Sequence, residues 1–277
     1  MDRFGIPSQI NGLRGSFHNQ KSRATMMYPI LEFDSTREAL IEPSRVCEPL
    51  DMPECCVICF FKDVIDKIVD CYNPKILVNN RWEDRSYPVY EMTHKGRRLA
   101  FYHAAVGAAQ AAGLLEEVIA FGCRKFIACG GCGVLEKDIA AGHLIVVSSA
   151  VRDEGVSYHY LPPGREIAAN TLGIGALTKT MDNADIPYRV GKTWTTDAPY
   201  RETPLKIAKR KAEGCLVVEM EAAGMMAVAQ FRSVTFGQAL YGGDDLSGLE
   251  WDNRDWQSKS DVRENLFWLC ADACLAL

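Results

Sequence analysis

Apolar runs of strand length alternate along this 277-residue chain with helical stripes, and that alternation is the mark of an α/β fold. Two further observations point the same way. The chain is long enough to bury one substantial core. No internal repeat and no linker long enough to divide it into domains interrupts the pattern.

Taken in order, residues 1–26 are polar, mildly basic and without periodicity, and are expected to form an extension outside a domain of residues 27–277. Residues 55–61 are apolar and read as a buried strand, with a helix over 63–71. Residues 87–92 and 98–103 read as strands joined by a turn at Lys95-Gly96. Residues 107–121 carry Leu114, Leu115, Val118 and Ile119 on one stripe and predict a helix. A strand over 125–129 ends in Gly130-Gly131-Cys132-Gly133, read as a tight turn. Strands follow at 143–150, 188–193, 215–218 and 234–241. Helices are expected at 167–181, 204–212 (with Pro204 at its start), 222–230 and 262–276.

Composition narrows the function. A net charge of -5 with no long basic run argues against non-specific nucleic-acid binding. The longest apolar runs are too short to span a bilayer, and no signal peptide is visible, so no membrane partner is expected. Eleven cysteines without a secretory signal are expected to be reduced thiols in a cytoplasm.

The strongest chemical signal is Val218-Glu219-Met220-Glu221-Ala222-Ala223-Gly224, a strand end running into a small-residue helix. Ligands bind outside the carboxyl ends of strands in open α/β sheets. In an extended backbone Glu219 and Glu221 share a face, and paired carboxylates suit the adjacent hydroxyls of a ribose. Alone, the two acids are read as readily as the start of a helix, where carboxylates are favoured. Asp244-Asp245 follows the next strand and offers a partner site, although acids are also common in turns. Two carboxylate sites also fit an O-glycosidase, but the aromatic-rich sugar cleft of such an enzyme is not evident. Gly130–Gly133 matches neither a P-loop nor a dinucleotide fingerprint. Cys56/Cys59 and Cys129/Cys132 have zinc-like spacing, but the odd offset within a strand sends the two thiols of a pair to opposite faces. Buried structural thiols are the expectation, and no metal is assigned. The polar segments 152–160 and 195–203 follow strands and are either solvated loops or parts of a site.

Together these segments resemble the nucleoside phosphorylase superfamily, which includes uridine phosphorylase, hexameric purine nucleoside phosphorylase and related nucleosidases. The resemblance covers roughly residues 28–275. It rests chiefly on residues 218–224 and on Val151-Arg152-Asp153-Glu154-Gly155-Val156-Ser157-Tyr158-His159-Tyr160-Leu161-Pro162. It implies a single domain with a central mixed sheet flanked by helices. It places Glu219, Met220 and Glu221 at the ribose, and Asp244 where purine-cleaving members keep the acid that protonates the leaving base. It places Pro199, Tyr200 and Arg201 in the base-binding loop, with Pro199 where the family stacks an aromatic ring. Arg85 matches an arginine that reaches the neighbouring subunit's phosphate site, which implies a homodimer or a trimer of dimers. Gly131 falls at a phosphate-binding position.

The departures bear on the nucleophile. The family's Gly-Asp-Pro-x-Arg loop corresponds to Phe60-Phe61-Lys62-Asp63-Val64, and a later arginine and hydroxyl correspond to Ala128 and Gly131. Losing such donors costs about 1.5–3 kcal/mol for each charged hydrogen bond. The resemblance implies cleavage of a nucleoside's N-glycosidic bond by phosphorolysis, with inorganic phosphate as co-substrate and no cofactor. The alternatives are hydrolysis by water and a nucleoside- or nucleotide-binding protein without turnover. A substrate carrying its own phosphate, anchored by Arg85, Lys62 or Arg152, is a further option.

Overall fold

Five consecutive buried residues, Cys55–Cys59, make a strand with no solvent face, so both sides must be covered. In the computed structural model, which describes residues 28–277, they are covered by helices on both sides. The extension expected over residues 1–26 lies outside the described residues. After a 3-10 turn at Pro29–Leu31 come a short helix α1 (Pro43–Val46), β1 (Cys55–Cys59), α2 (Lys62–Tyr72), β2 (Lys75–Arg81), β3 (Ser86–His94) and β4 (Arg97–His103). Next come α3 (Ala108–Phe121), β5 (Lys125–Val134), β6 (Leu144–Asp153), α4 (Ser157–Tyr160), β7 (Glu166–Ala168) and α5 (Thr171–Asn183). The rest is β8 (Tyr188–Thr196), α6 (Pro204–Ala212), β9 (Cys215–Glu219), α7 (Ala222–Arg232), β10 (Thr235–Asp245) and α8 (Ser260–Ala276).

The strands form one mixed sheet of ten. β1 lies between β4 and β5 and is parallel to both. β4, β3 and β2 continue outward as an antiparallel meander. On the other side β5 pairs with both β10 and β9, β10 with β6, β6 with β8, and β8 with β9. Those five strands therefore close on themselves, which removes exposed edges, and β1–β4–β3–β2 form a wing attached through β5.

The two-residue period of β1 separates two cores. Cys56 and Ile58 pack with side chains of α3 and α7, such as Leu115 and Met225. Cys55, Val57 and Cys59 pack with α2, α5 and α8, through Ile65, Leu177 and Phe267. Each large side chain so buried contributes roughly 1.5–3 kcal/mol. The same period holds for the second cysteine pair: Cys132 belongs to the first core and Cys129 to the second. All eleven cysteines are free thiols and only Cys71 is exposed.

The structure departs from expectation at four places. The Gly130–Gly133 segment is not a turn. β5 runs through it, with Gly130, Gly131 and Cys132 paired to β10 and Gly133 to Val218 of β9. Gly133 sits in a crowded place, since a Cβ there would lie 2.5 Å from Leu246 Cδ1 and 2.9 Å from Val218 Cγ1 and would force those side chains to shift. β2 was not anticipated, because its sequence, mixed in polarity, lies on the outer edge with most residues exposed or half-buried. The helix expected from 167 starts at Thr171. Asn170 caps it by accepting from the Leu172 and Gly173 N–H groups, and β7 precedes it. Finally, β10 extends to Asp245, so Asp244-Asp245 is a strand end rather than a turn.

Candidate active site

A cavity of about 330 Å³ opens where β1 and β9 end and β5 and β10 run past them. Phe60 and Phe61 from the end of β1, Gly130–Gly133 of β5, Val218–Glu221 after β9, and Gln238, Leu240 and Asp244 of β10 line it. Val106, Pro199, Glu202, Trp256 and Arg263 complete the wall. The sequence-predicted residues Gly131, Pro199, Glu219, Met220, Glu221 and Asp244 are thus brought together. Tyr200 and Arg201 are exposed and outside the lining; Tyr200 is 98% exposed. Arg85 also stands apart. It stacks over Tyr87 at 4.6 Å, lies 3.4 Å from His103 Nδ1 and is 4.0 Å from the Asp84 carboxylate.

The two glutamates do not share one extended face. β9 stops at Glu219, and Glu221 has φ -135° and ψ -27° as the residue before α7. Glu219 turns back on the chain. Its Oε1 accepts from Thr195 Oγ1 at 2.6 Å and Thr193 Oγ1 at 3.3 Å. Its Oε2 accepts from the Glu221 and Ala222 N–H groups at 2.7 and 2.6 Å. That is the helix-start role, and it satisfies orphan donors at the head of α7. Glu221 instead accepts on Oε1 from the Gly107 N–H at 2.6 Å, at the head of α3. Burial pushes the Glu219 carboxyl up. Burial, then the neighbouring Glu219 charge, pushes Glu221 up to about 8.

A second acid pair sits at another part of the wall. Asp244 Oδ2 accepts from Trp251 Nε1 at 2.7 Å. Glu202, three residues beyond Pro199, is raised to about 7 by burial first and by the Asp244 charge second. Asp245 is turned away into an ion pair with Arg254.

The positive charge is sparse. Phe60 lies where the resemblance implies a glycine, and its ring is 3.3 Å from a Cβ built on Gly130. Lys62 is exposed and paired with Asp66. Arg152 is buried as a structural clamp, donating to Ser157 Oγ at 2.8 Å and to the Pro162 and Leu161 carbonyls at 2.8 and 3.2 Å. Among the described residues that line the cavity, the one cation is Arg263, from the first turn of α8. Its guanidinium lies 4.8 Å over Phe61, pairs with Asp63 at 2.8 Å and donates to the Gln257 carbonyl at 3.3 Å; its Nε is buried without a partner. Gln238, the register partner of Ala128, is 1% exposed and has an unpartnered Oε1.

Sequence reasoning missed Glu202, Gln238, Trp256 and Arg263. Gln238 was legible as the one amide side chain within an apolar strand. Arg263 was not, because a basic residue on a helix flank is ordinary.

The phosphorylase superfamily model matches residues 54–267. Guanosine phosphorylase of Halorubrum lacusprofundi is 26% identical over 197 residues, spanning 71% of this chain and 80% of that protein. Uridine phosphorylase of Vibrio fischeri superposes with a TM-score of 0.69 at 19% identity, over 82% of this chain and 94% of that one. AMP nucleosidase of Bacteroides thetaiotaomicron superposes with a TM-score of 0.66 at 20% identity, over 82% and 89% of the two chains. With a shared mixed-sheet fold and a family match over most of its length, this chain belongs to the phosphorylase superfamily.

Proposed function

We propose that the protein cleaves the N-glycosidic bond of a nucleoside and transfers the pentosyl group to inorganic phosphate, without a cofactor. One observation carries the reading: two acid pairs, the buried Glu219/Glu221 and the half-buried Glu202/Asp244, line one nucleoside-sized cavity, and in each pair one member engages a single protein donor. As the C1′–N bond breaks, its electron pair leaves with the base and positive charge grows on the ribose. Glu221, with Met220 beside it, holds the ribose hydroxyls and faces that charge. Asp244, oriented by Trp251, delivers a proton to the departing nitrogen, drawn from Glu202, whose carboxyl burial and the Asp244 charge keep protonated up to about pH 7. A phosphate oxygen then bonds to C1′. Glu219 supports the arrangement by fixing the start of α7, and Pro199 closes the base end. Relatives named as guanosine and uridine phosphorylases support phosphate as acceptor.

Water is the second reading, and it rests on Phe60 and Ala128, which stand where the resemblance implies a glycine and an arginine. A nucleosidase among the structural neighbours has the same fold. We further propose a homo-oligomer in which Arg85, idle at its own cavity, serves a neighbour. Eleven unpaired cysteines support a reducing, cytoplasmic setting. Among the described residues no helix is long and apolar enough to cross a membrane.

The test is base release from purine and pyrimidine nucleosides, with and without phosphate, with the sugar product identified. Pentose 1-phosphate formed only with phosphate is the expected result. Free pentose regardless of phosphate would establish hydrolysis, and binding without release would leave a nucleoside-binding protein. Asp244→Asn is expected to lower turnover about 10²–10⁴-fold while calorimetric nucleoside affinity stays within a few-fold. Unchanged turnover would remove Asp244 from the acid role.

A further inference from the structure

Behind Glu202 lies a second chamber of about 630 Å³, between α6 and residues 246–251. Two links join it to the site. Glu202 lines both chambers. Trp251 walls the outer one while its indole N–H holds Asp244, which walls the inner one. The outer wall is mostly apolar, through Pro204, Ile207, Leu246, Leu249 and Trp251. Leu249 and Trp251 are 104% and 62% exposed there. Grouped apolar exposure of this kind marks a binding surface more often than scattered residues do.

The inner cavity, at about 330 Å³, is at the low end of small-molecule sites, which run from about 300 to 1,000 Å³. It has room for a nucleoside and little else. The acids at its exit toward the outer chamber are Glu202 and Asp244, the pair assigned to the base. A group that leaves the inner cavity on that side is therefore attached to the base and not to the sugar.

We propose that the outer chamber is an extension of the base site that receives an apolar substituent on the leaving base. The preferred substrates are then nucleosides whose base carries an alkyl or aryl group. This inference rests on the nucleoside-cleaving reading above. Glu202 sits at the junction, where a protonated carboxyl can donate to the ring or exocyclic nitrogen from which the substituent hangs. Each methylene buried in the chamber is expected to strengthen binding roughly fourfold.

The test compares matched pairs on the full chain with phosphate present: adenosine against N6-benzyladenosine, and uridine against 5-benzyluridine. Base release gives KM and kcat, and calorimetry gives the affinity of the corresponding free bases. The benzyl group on at least one base is expected to lower KM tenfold or more with kcat little changed. Ala208→Trp, on the exposed side of α6 where it lines only the outer chamber, is expected to erase that gain and leave the unsubstituted nucleoside unaffected. Release from unsubstituted nucleosides with no gain from either benzyl group overturns the chamber's role and leaves the cleavage reading intact. So does a gain that survives Ala208→Trp, or a variant whose only change is its oligomeric state. Selective binding of a benzylated base without release keeps the chamber and overturns cleavage. Neither release nor binding of any base overturns both.

Discussion

Glu219 and Glu221 are two residues apart and identical in type, yet their surroundings give them different chemistry. Glu219 accepts four hydrogen bonds, two from threonine hydroxyls and two from backbone N–H groups, so its charge is compensated. Glu221 has the Gly107 N–H on one oxygen and is otherwise buried beside a charged neighbour. The motif was legible in the sequence, but its geometry was not. The same-face argument assumes that the strand continues, and β9 ends at Glu219. The raised Glu221 carboxyl has a consequence for stability. The folded protein holds this proton to about pH 8, whereas the unfolded chain releases it near 4.5. The protonated form's stability is thus fully present below pH 4.5 and lost as pH rises through about 8. Glu221→Gln carries no charge to bury and is expected to be more stable than wild type at pH 8–9, by on the order of 1–3 kcal/mol. At pH 4–5 the two should be equal. Urea denaturation across that pH range decides it; a constant difference at all pH values would show that Glu221 does not titrate on folding. The same variant should lose turnover at pH 8–9, where wild-type Glu221 gives up its proton and opposes charge on the ribose as a carboxylate, which an amide cannot become.

At the scale of elements, the long helices and the buried strands were legible, because α3 and α8 are long, α6 opens on Thr203-Pro204 and β1 is uniformly apolar. What was hidden shares one physical cause. β2, β7 and the glycine half of β5 owe their conformation to pairing with β3, β6 and β10 respectively, not to local pattern. Gly173 illustrates the reverse, a local residue whose purpose appears only in three dimensions. It lies in the first turn of α5, and a Cβ there would be 2.6 Å from the Phe236 carbonyl oxygen and 2.8–2.9 Å from the backbone of Gly237. Gly237 in turn would meet Gly173 Cα at 3.0 Å. The two glycines let α5 rest directly on β10, the strand that carries Gln238 and Asp244. Alanine is normally the better helix former by about 1 kcal/mol. At this position the atoms in the way are backbone and cannot rotate aside. Gly173→Ala is therefore expected to destabilise by about 1–3 kcal/mol, read as a lower Tm. Gly175→Ala, on the same helix with nothing within 4 Å, should be neutral or stabilising. Equal Tm for both variants would show that the contact is loose.

For the molecule as a whole, the closed ring of β5, β10, β6, β8 and β9 and the wing begun by β1 meet at one place, and the cavity opens there. That location could be anticipated from strand ends and the family resemblance. The source of positive charge could not, because it comes from α8, some 200 residues after the segment that normally supplies it. Apart from Gln238 and Arg263, the lining side chains are apolar or acidic, and the chain has a net charge of -5. A phosphate dianion in such a place needs a cation, and Arg263 is the one the wall offers. If phosphate is the acceptor, Arg263→Gln should raise its KM roughly 10- to 100-fold, the equivalent of one charged hydrogen bond at about 1.5–3 kcal/mol, and leave nucleoside affinity unchanged. Removing Arg263 also breaks its ion pair with Asp63, so Asp63→Asn serves as the control. That variant loses the same ion pair but keeps the guanidinium, now without a competing carboxylate. It should hold the phosphate KM constant or lower it. A rise in phosphate KM in Arg263→Gln alone assigns the anion site to α8. A rise in both variants would make the ion pair, not the guanidinium, the determinant. No change in either would locate the acceptor's binding energy elsewhere, as expected when the acceptor is water.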